Sequence, residues 1–265
     1  MKQTRSWFNK YKGYGISAAD LIQMGANVAT VVCPLGPRTK TYVGRRDNPK
    51  PATDALLPPV DRTADFLIKL FQDKTIQPNG LVALLGAHST AQQRFVDPRR
   101  AGDPQDSTPG VWDMLYYNET INPNAPARVF KFASDIKLAA DPRMSRLFTA
   151  FAAPNNAAQL PWNLVSSPQG ASTARSRSGP HRLANMTRVR QLYAREYVRL
   201  SLLGVNNINS LTECTKVLPQ PIRTSCPATS ARSRRGCRPA STSRPLPTRS
   251  WRASSLPRSR GCQVS

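Results

Sequence analysis

A mainly α fold that ends in a disordered basic tail is what these 265 residues predict. Three observations carry the prediction. Apolar residues recur at intervals of three and four over much of residues 13–157 and again between Tyr193 and Leu203. Helix start and stop signals flank those stretches. After Pro219 the composition changes abruptly to Pro, Ser, Thr and Arg.

The elements follow in order. Ile16 to Cys33 repeats at helical spacing, with Ser17 as N-cap and Pro34-Leu-Gly-Pro37 as the stop, and predicts one mostly buried helix. Thr39 to Pro59 has no sustained period and reads as a surface loop. Asp61 to Phe71 puts Ala64, Leu67, Ile68 and Phe71 on one face of the next helix. Pro78-Asn79-Gly80 reads as punctuation before Leu81, Leu84, Leu85 and His88, which share a face. Residues 92–110 read as loop and Val111 to Glu119 as a short segment. Arg128 to Ala140 and Met144 to Ala152 are two further helices. A patternless stretch, Ala158 to Ala184, precedes the helix of Tyr193, Tyr197, Leu200 and Leu203, which Gly204 stops before a segment from Val205 to Pro219.

Charge divides the chain. Residues 1–157 hold 20 Lys and Arg against 13 Asp and Glu, and the remainder holds 18 against 2, so most of the formal +23 lies in the second part. Residues 220–265 contain no acidic residue and one aromatic, Trp251. Such a segment buries too little apolar surface to offset its chain entropy and is expected to be disordered. No secretory signal follows Met1, and the best apolar run, Ile16 to Val32, carries Asp20, Gln23 and Asn27 and makes a poor membrane span. The five cysteines, at 33, 214, 226, 237 and 262, lack the close spacing of a zinc or redox site. Asn118-Glu-Thr120 and Asn185-Met-Thr187 fit the glycosylation triplet.

The chemistry-bearing residues gather between Leu81 and Asp135. An imidazole at the end of an apolar helix can hold an iron, and a carboxylate accepting its other ring N–H strengthens it as a donor. A loop with Ser, Asp, Thr and Asp side chains can offer the hard oxygens that calcium takes. Leu84-Leu-Gly-Ala-His88-Ser89, Asp106-Ser-Thr-Pro-Gly-Val-Trp-Asp113 and Ser134-Asp135 together resemble the proximal half of a fungal class II haem peroxidase. Gly15 to Asp20, Val32 to Pro37, Val43 to Asp47, Tyr197 to Gly204 and Leu211 to Cys214 are similar to flanking segments of that family.

The resemblance implies a partial all-α haem peroxidase fold binding haem b and Ca²⁺. It implies His88 as the axial iron ligand, Asp135 as the residue that orients it, and Ser89, Asp106, Thr108, Asp113 and the Val111 carbonyl as calcium ligands. Hydrogen peroxide and small aromatic donors are the implied substrates, and a secreted monomer without membrane or specific nucleic-acid partners the implied state. The expected organisation is a helical proximal region over 13–157, an irregular insert over 158–189, a closing segment over 190–219 and a tail over 220–265.

Some family features have no counterpart. The family's distal Arg-x-x-(Phe/Trp)-His-Asp helix is not found in these residues, whose second histidine is His181, so activity is expected to be impaired. Cys33 and Cys214 have no evident partners. Ala83 stands where lignin-oxidising relatives carry a surface tryptophan, and Arg94 where manganese-oxidising ones carry an acid. Residues 158–184 and 220–265 read like a retained intron and an out-of-frame translation. The alternative reading is a non-catalytic basic protein that binds polyanions and keeps a relic of the peroxidase segment.

Overall fold

The computed structural model describes residues 2–53, 56–152 and 192–221. Eight α-helices and one two-stranded ladder make up the regular structure of those residues. The insert of 158–189, Asn185-Met-Thr187, His181 and all but the first two residues of the tail lie outside them.

Helix α1 (Lys2–Tyr11) has no counterpart in the sequence prediction, because Trp7, Phe8 and Tyr11 are outnumbered by polar and basic neighbours. Gly15, at φ +76°, closes a short 3-10 turn after it. Helix α2 (Ala18–Val32) starts as predicted, the Ser17 hydroxyl accepting the Asp20 N–H at 3.0 Å. The expectation that α2 is mostly buried fails. Only Asp20, Asn27 and Val31 are buried, while Ile22 and Val32 are 56% and 47% exposed. Its packed face is polar: Asp20 pairs with the buried Arg45 at 3.1 Å and accepts the Gly44 N–H at 2.7 Å. Asn27 meanwhile bonds Thr39 and Thr41. These bonds fasten α2 to strand β1 (Tyr42–Val43), which pairs antiparallel with β2 (Thr212–Glu213). Strands of two residues are too short to leave a period in the sequence.

Helix α3 (Ala64–Gln72) is capped by Thr63 and starts at Ala64, three residues later than predicted, where its apolar pattern begins. Helix α4 (Pro78–Leu85) includes the residues read as punctuation: Pro78 occupies its first turn, where its missing N–H costs nothing. Gly80 is there for contact rather than turning, since a Cβ at this position would lie 2.8 Å from Cγ of Glu196. The helical hydrogen bonding tightens after Leu85 into a 3-10 turn, Gly86–Thr90, so His88 rides on that turn.

Helix α5 (Leu115–Ile121) begins later than the segment expected from Val111, because residues 106–113 fold as a loop around their own polar side chains. Helix α6 (Ala133–Ala140) is five residues shorter than predicted at its start, with Phe132 extended. Helix α7 (Pro142–Ala152) and α8 (Leu192–Ser201) complete the set, and Gly204 at φ +75° follows α8 as expected.

The core surrounds α4, which packs against α3, α7 and α8. Leu81, Val82, Ile68, Ile76, Met114, Tyr117, Met144 and Phe148 are all at most 2% exposed. Cys33 is free and its thiol is held above its ordinary pKa by burial. Cys214, which has no evident partner in the sequence, is disulfide-bonded. No single helix among the described residues is long and apolar enough to cross a membrane, though α1 and α2 form a pair bent by 115° that passes on length and composition together.

Candidate functional site

His88 leaves the C-terminal end of α4 on the 3-10 turn, and Asp135 enters from the first turn of α6. Their contact is His88 Nδ1 to Asp135 Oδ2 at 2.9 Å. An anion in the first turn is favoured by the peptide dipoles there. Asp135 is 2% exposed as a residue, and its second oxygen takes a longer contact of 3.4 Å from Ser134 Oγ. The imidazole therefore donates from Nδ1, which leaves the Nε2 lone pair for a ligand. Nε2 has no hydrogen bond among the described residues, and the side chain is 30% exposed.

Aromatic edges hold the ring. Tyr116 of α5 lies 5.4 Å away at 85° and Phe132 lies 5.9 Å away at 77°. Burial, with Asp135 beside it, keeps the Tyr116 phenol protonated well above the ordinary tyrosine range. Gln105, 3% exposed, brings its amide nitrogen to 3.5 Å from Nδ1. That distance is outside a good hydrogen bond, so Gln105 is a polar wall and Asp135 the partner.

One residue beyond His88, the Ser89 hydroxyl reaches the loop. It lies 2.6 Å from Asp106 Oδ2, 3.1 Å from the Asp113 carbonyl, and 3.4 Å from both the Val111 carbonyl and Asp113 Oδ1. The Thr108 hydroxyl bonds Asp113 Oδ2 at 2.8 Å and lies 3.4 Å from Asp106 Oδ1. All five residues expected to hold a cation thus converge on one spot. Burial pushes the Asp106 carboxyl up to about 7 against the opposing pull of the Ser89 hydrogen bond, and burial also raises Asp113. Two buried carboxylates short of positive charge, ringed by neutral oxygens, make a donor set of the kind calcium takes. Among the described residues no group of three His, Cys, Asp or Glu side chains gathers as a metal site. The loop would draw its remaining donors from hydroxyls and carbonyls.

The sequence model described as peroxidase matches residues 2–154, more than half of the chain. The chain belongs to the peroxidase family. It is 27% identical to ligninase C of Trametes versicolor over 220 residues, covering 78% of this chain and 52% of that protein. It is 36% identical to a low-redox potential peroxidase of Taiwanofungus camphoratus over 109 residues, 41% of this chain and 33% of that protein. With versatile peroxidase VPS1 of Pleurotus eryngii it shares 28% over 214 residues, 78% and 52% of the two chains. The chain spans about half the length of the longest-matching of these curated relatives.

Other positions of this peroxidase chain are equally definite. Ala83 is 1% exposed inside α4, and Arg94 is exposed. Asn118 belongs to α5 and gives its amide to the Ala152 carbonyl at 3.2 Å, while Thr120 is 6% exposed, so that triplet is built into packing. Sequence reasoning missed Gln105, Tyr116 and Glu119. Nothing in their local sequence marks these three, because the partners that give them a place are remote in the chain.

Proposed function

We propose that this chain is the iron-ligand side of a haem peroxidase that oxidises phenolic or similar organic donors with hydrogen peroxide. The observation that carries the reading is the 2.9 Å His88–Asp135 contact, which frees Nε2 beside two aromatic edges. Haem b, when bound, supplies the redox centre at which peroxide is reduced and the donor oxidised.

His88 would hold the iron through Nε2. Asp135 takes the Nδ1 proton in a charge-assisted hydrogen bond, fixes the tautomer and increases the electron donation of the ring. Tyr116 and Phe132 keep the ring from rotating, and Ser89 links it to the loop. Ca²⁺ in that loop, held by Ser89, Asp106, Thr108, the Val111 carbonyl and Asp113, would restrain the turn that bears His88. The disulfide at Cys214 is in keeping with a secreted protein. Proton transfer on the peroxide needs an acid–base group and a cation opposite His88; with no Arg-x-x-(Phe/Trp)-His-Asp segment in these residues, turnover by this chain alone should stay near that of free haem.

Haem titration tests the reading. The chain should give a five-coordinate, histidine-ligated absorption spectrum that His88→Ala abolishes and added imidazole restores. Identical spectra for the chain and His88→Ala would sink it.

A further inference from the structure

Glu119 has a role that neither the iron nor the cation ligands account for. It lies on α5 with 6% of its surface exposed, and both carboxylate oxygens are spent on a single residue. Oε2 accepts the Ser107 N–H at 2.7 Å and Oε1 accepts the Ser107 hydroxyl at 2.5 Å. Ser107 sits between Asp106 and Thr108, whose side chains both point into the oxygen cluster. The Ser107 carbonyl is taken in turn by the Arg128 guanidinium. Every polar group of this one loop residue except its hydroxyl lone pairs is therefore held from outside the loop.

The choice of a carboxylate is informative. Its negative charge repels those of Asp106 and Asp113 in the loop it grips. A neutral glutamine could meet both Ser107 groups without that repulsion, because a serine hydroxyl accepts as readily as it donates. A third buried negative charge beside two others is tolerable where a divalent cation balances all three. The same helix is tied to the loop a second time, since Asp113 Oδ1 accepts the Leu115 N–H at 2.9 Å. One turn before Glu119 stands Tyr116, edge-on to His88.

We propose that Glu119 is a positioning residue for the cation loop: by gripping Ser107 at two points and adding a charge outside the ligand set, it sets the affinity for Ca²⁺ and couples the filled loop to the wall of the His88 pocket. The proposal rests on the calcium reading given above.

Calorimetric titration of the full chain with Ca²⁺ separates the two. The chain should bind Ca²⁺ saturably and Asp106→Asn should abolish binding; failure of either removes the calcium reading and this proposal with it. With those results in hand, Ser107→Ala and Glu119→Gln should each weaken Ca²⁺ by about 10-fold or more, the range seen when partners behind metal ligands are lost. The double variant should be weaker than either single one, because Glu119→Gln removes the charge and Ser107→Ala the hydroxyl contact. A merely structural carboxylate would lower the metal-free melting temperature and leave Ca²⁺ affinity within about twofold. That pattern overturns the proposal. Ser107→Ala keeps the test decisive should Glu119→Gln fail to fold.

Discussion

His88 and Ser89 are adjacent, yet they belong to two sites with opposite charge balance. The histidine pocket is complete as it stands: an imidazole N–H meets a carboxylate placed in the first turn of α6, and aromatic edges pack the rest. The loop beside it has two buried carboxylates converging on hydroxyls and carbonyls, with no cationic side chain among the hydrogen bonds of the cluster. The difference teaches which way control runs. On the proposed reading the pocket would hold a ligand ready for a metal, whereas in the loop a metal would complete the fold.

Removing the cation should therefore produce the largest effect. A ligand present at 100 times its Kd adds about 2.7 kcal/mol to stability. Excess Ca²⁺ should raise the melting temperature by several degrees, and a chelator should reverse it. Asp106→Asn should erase the dependence while leaving the His88 pocket able to take haem. Equal melting with Ca²⁺ and with chelator would contradict the charge argument for the loop.

Acid should weaken the loop next, by a mechanism that leaves the pocket aside. Asp106 titrates at about 7 in the fold, above its unfolded value near about 3.9, so its bound proton stabilises the cation-free fold fully below that lower value. That contribution is lost as pH rises through about 7. Ca²⁺ must displace the same proton, so affinity should fall about tenfold per pH unit below that point, or about 100-fold over two units. Calorimetry in buffers of different ionisation enthalpy would count the proton released; none released at mildly acidic pH would refute the assignment to Asp106.

The contrast between the two regions also explains what could be read in the chain. Ser17 and Gly204 act within a few residues of themselves, and each sits where the sequence put it. His88, Ser89, Asp106, Thr108, Asp113 and Asp135 could be singled out together because a family resemblance groups them, and the structure brings their side chains into contact although up to 47 positions separate them. Where a position depends on a partner that is remote and unmarked, the reading failed. Gly80 looked like a break because its packing against Glu196, 116 residues away, leaves no local trace. Helix α2 read as buried because its apolar residues are many, but its packed side is decided by the Asp20–Arg45 pair. Glu119 and Gln105 escaped for the same reason.

Within the pocket, Asp135→Asn sharpens the comparison. Asparagine still accepts the Nδ1 proton, but a neutral acceptor makes a bond roughly half as strong as a charged one. Haem affinity should fall about tenfold, and the iron–histidine stretching frequency should drop. Loop affinity for Ca²⁺ should stay within about twofold, since Asp135 touches none of the loop oxygens in the described hydrogen bonds. A loss of Ca²⁺ binding as large as the loss of haem would mean that the two sites share one charge balance after all.

The smallest effect should come from Gln105, which neighbours both sites. Its backbone N–H is fixed to the Ala91 carbonyl at 3.1 Å, and it precedes Asp106 directly, so its place is set by the loop. Its amide nonetheless stops 3.5 Å from Nδ1, too far to compete with the 2.9 Å bond to Asp135. Gln105→Leu keeps the volume and removes the dipole, so haem affinity should change less than about threefold and the iron–histidine stretch should move far less than in Asp135→Asn. The same substitution in the Ca²⁺-free chain should be no different. A shift matching that of Asp135→Asn, appearing only when Ca²⁺ is bound, would make Gln105 the point at which the loop acts on the histidine and would replace a pocket complete in itself by one that the cation tunes.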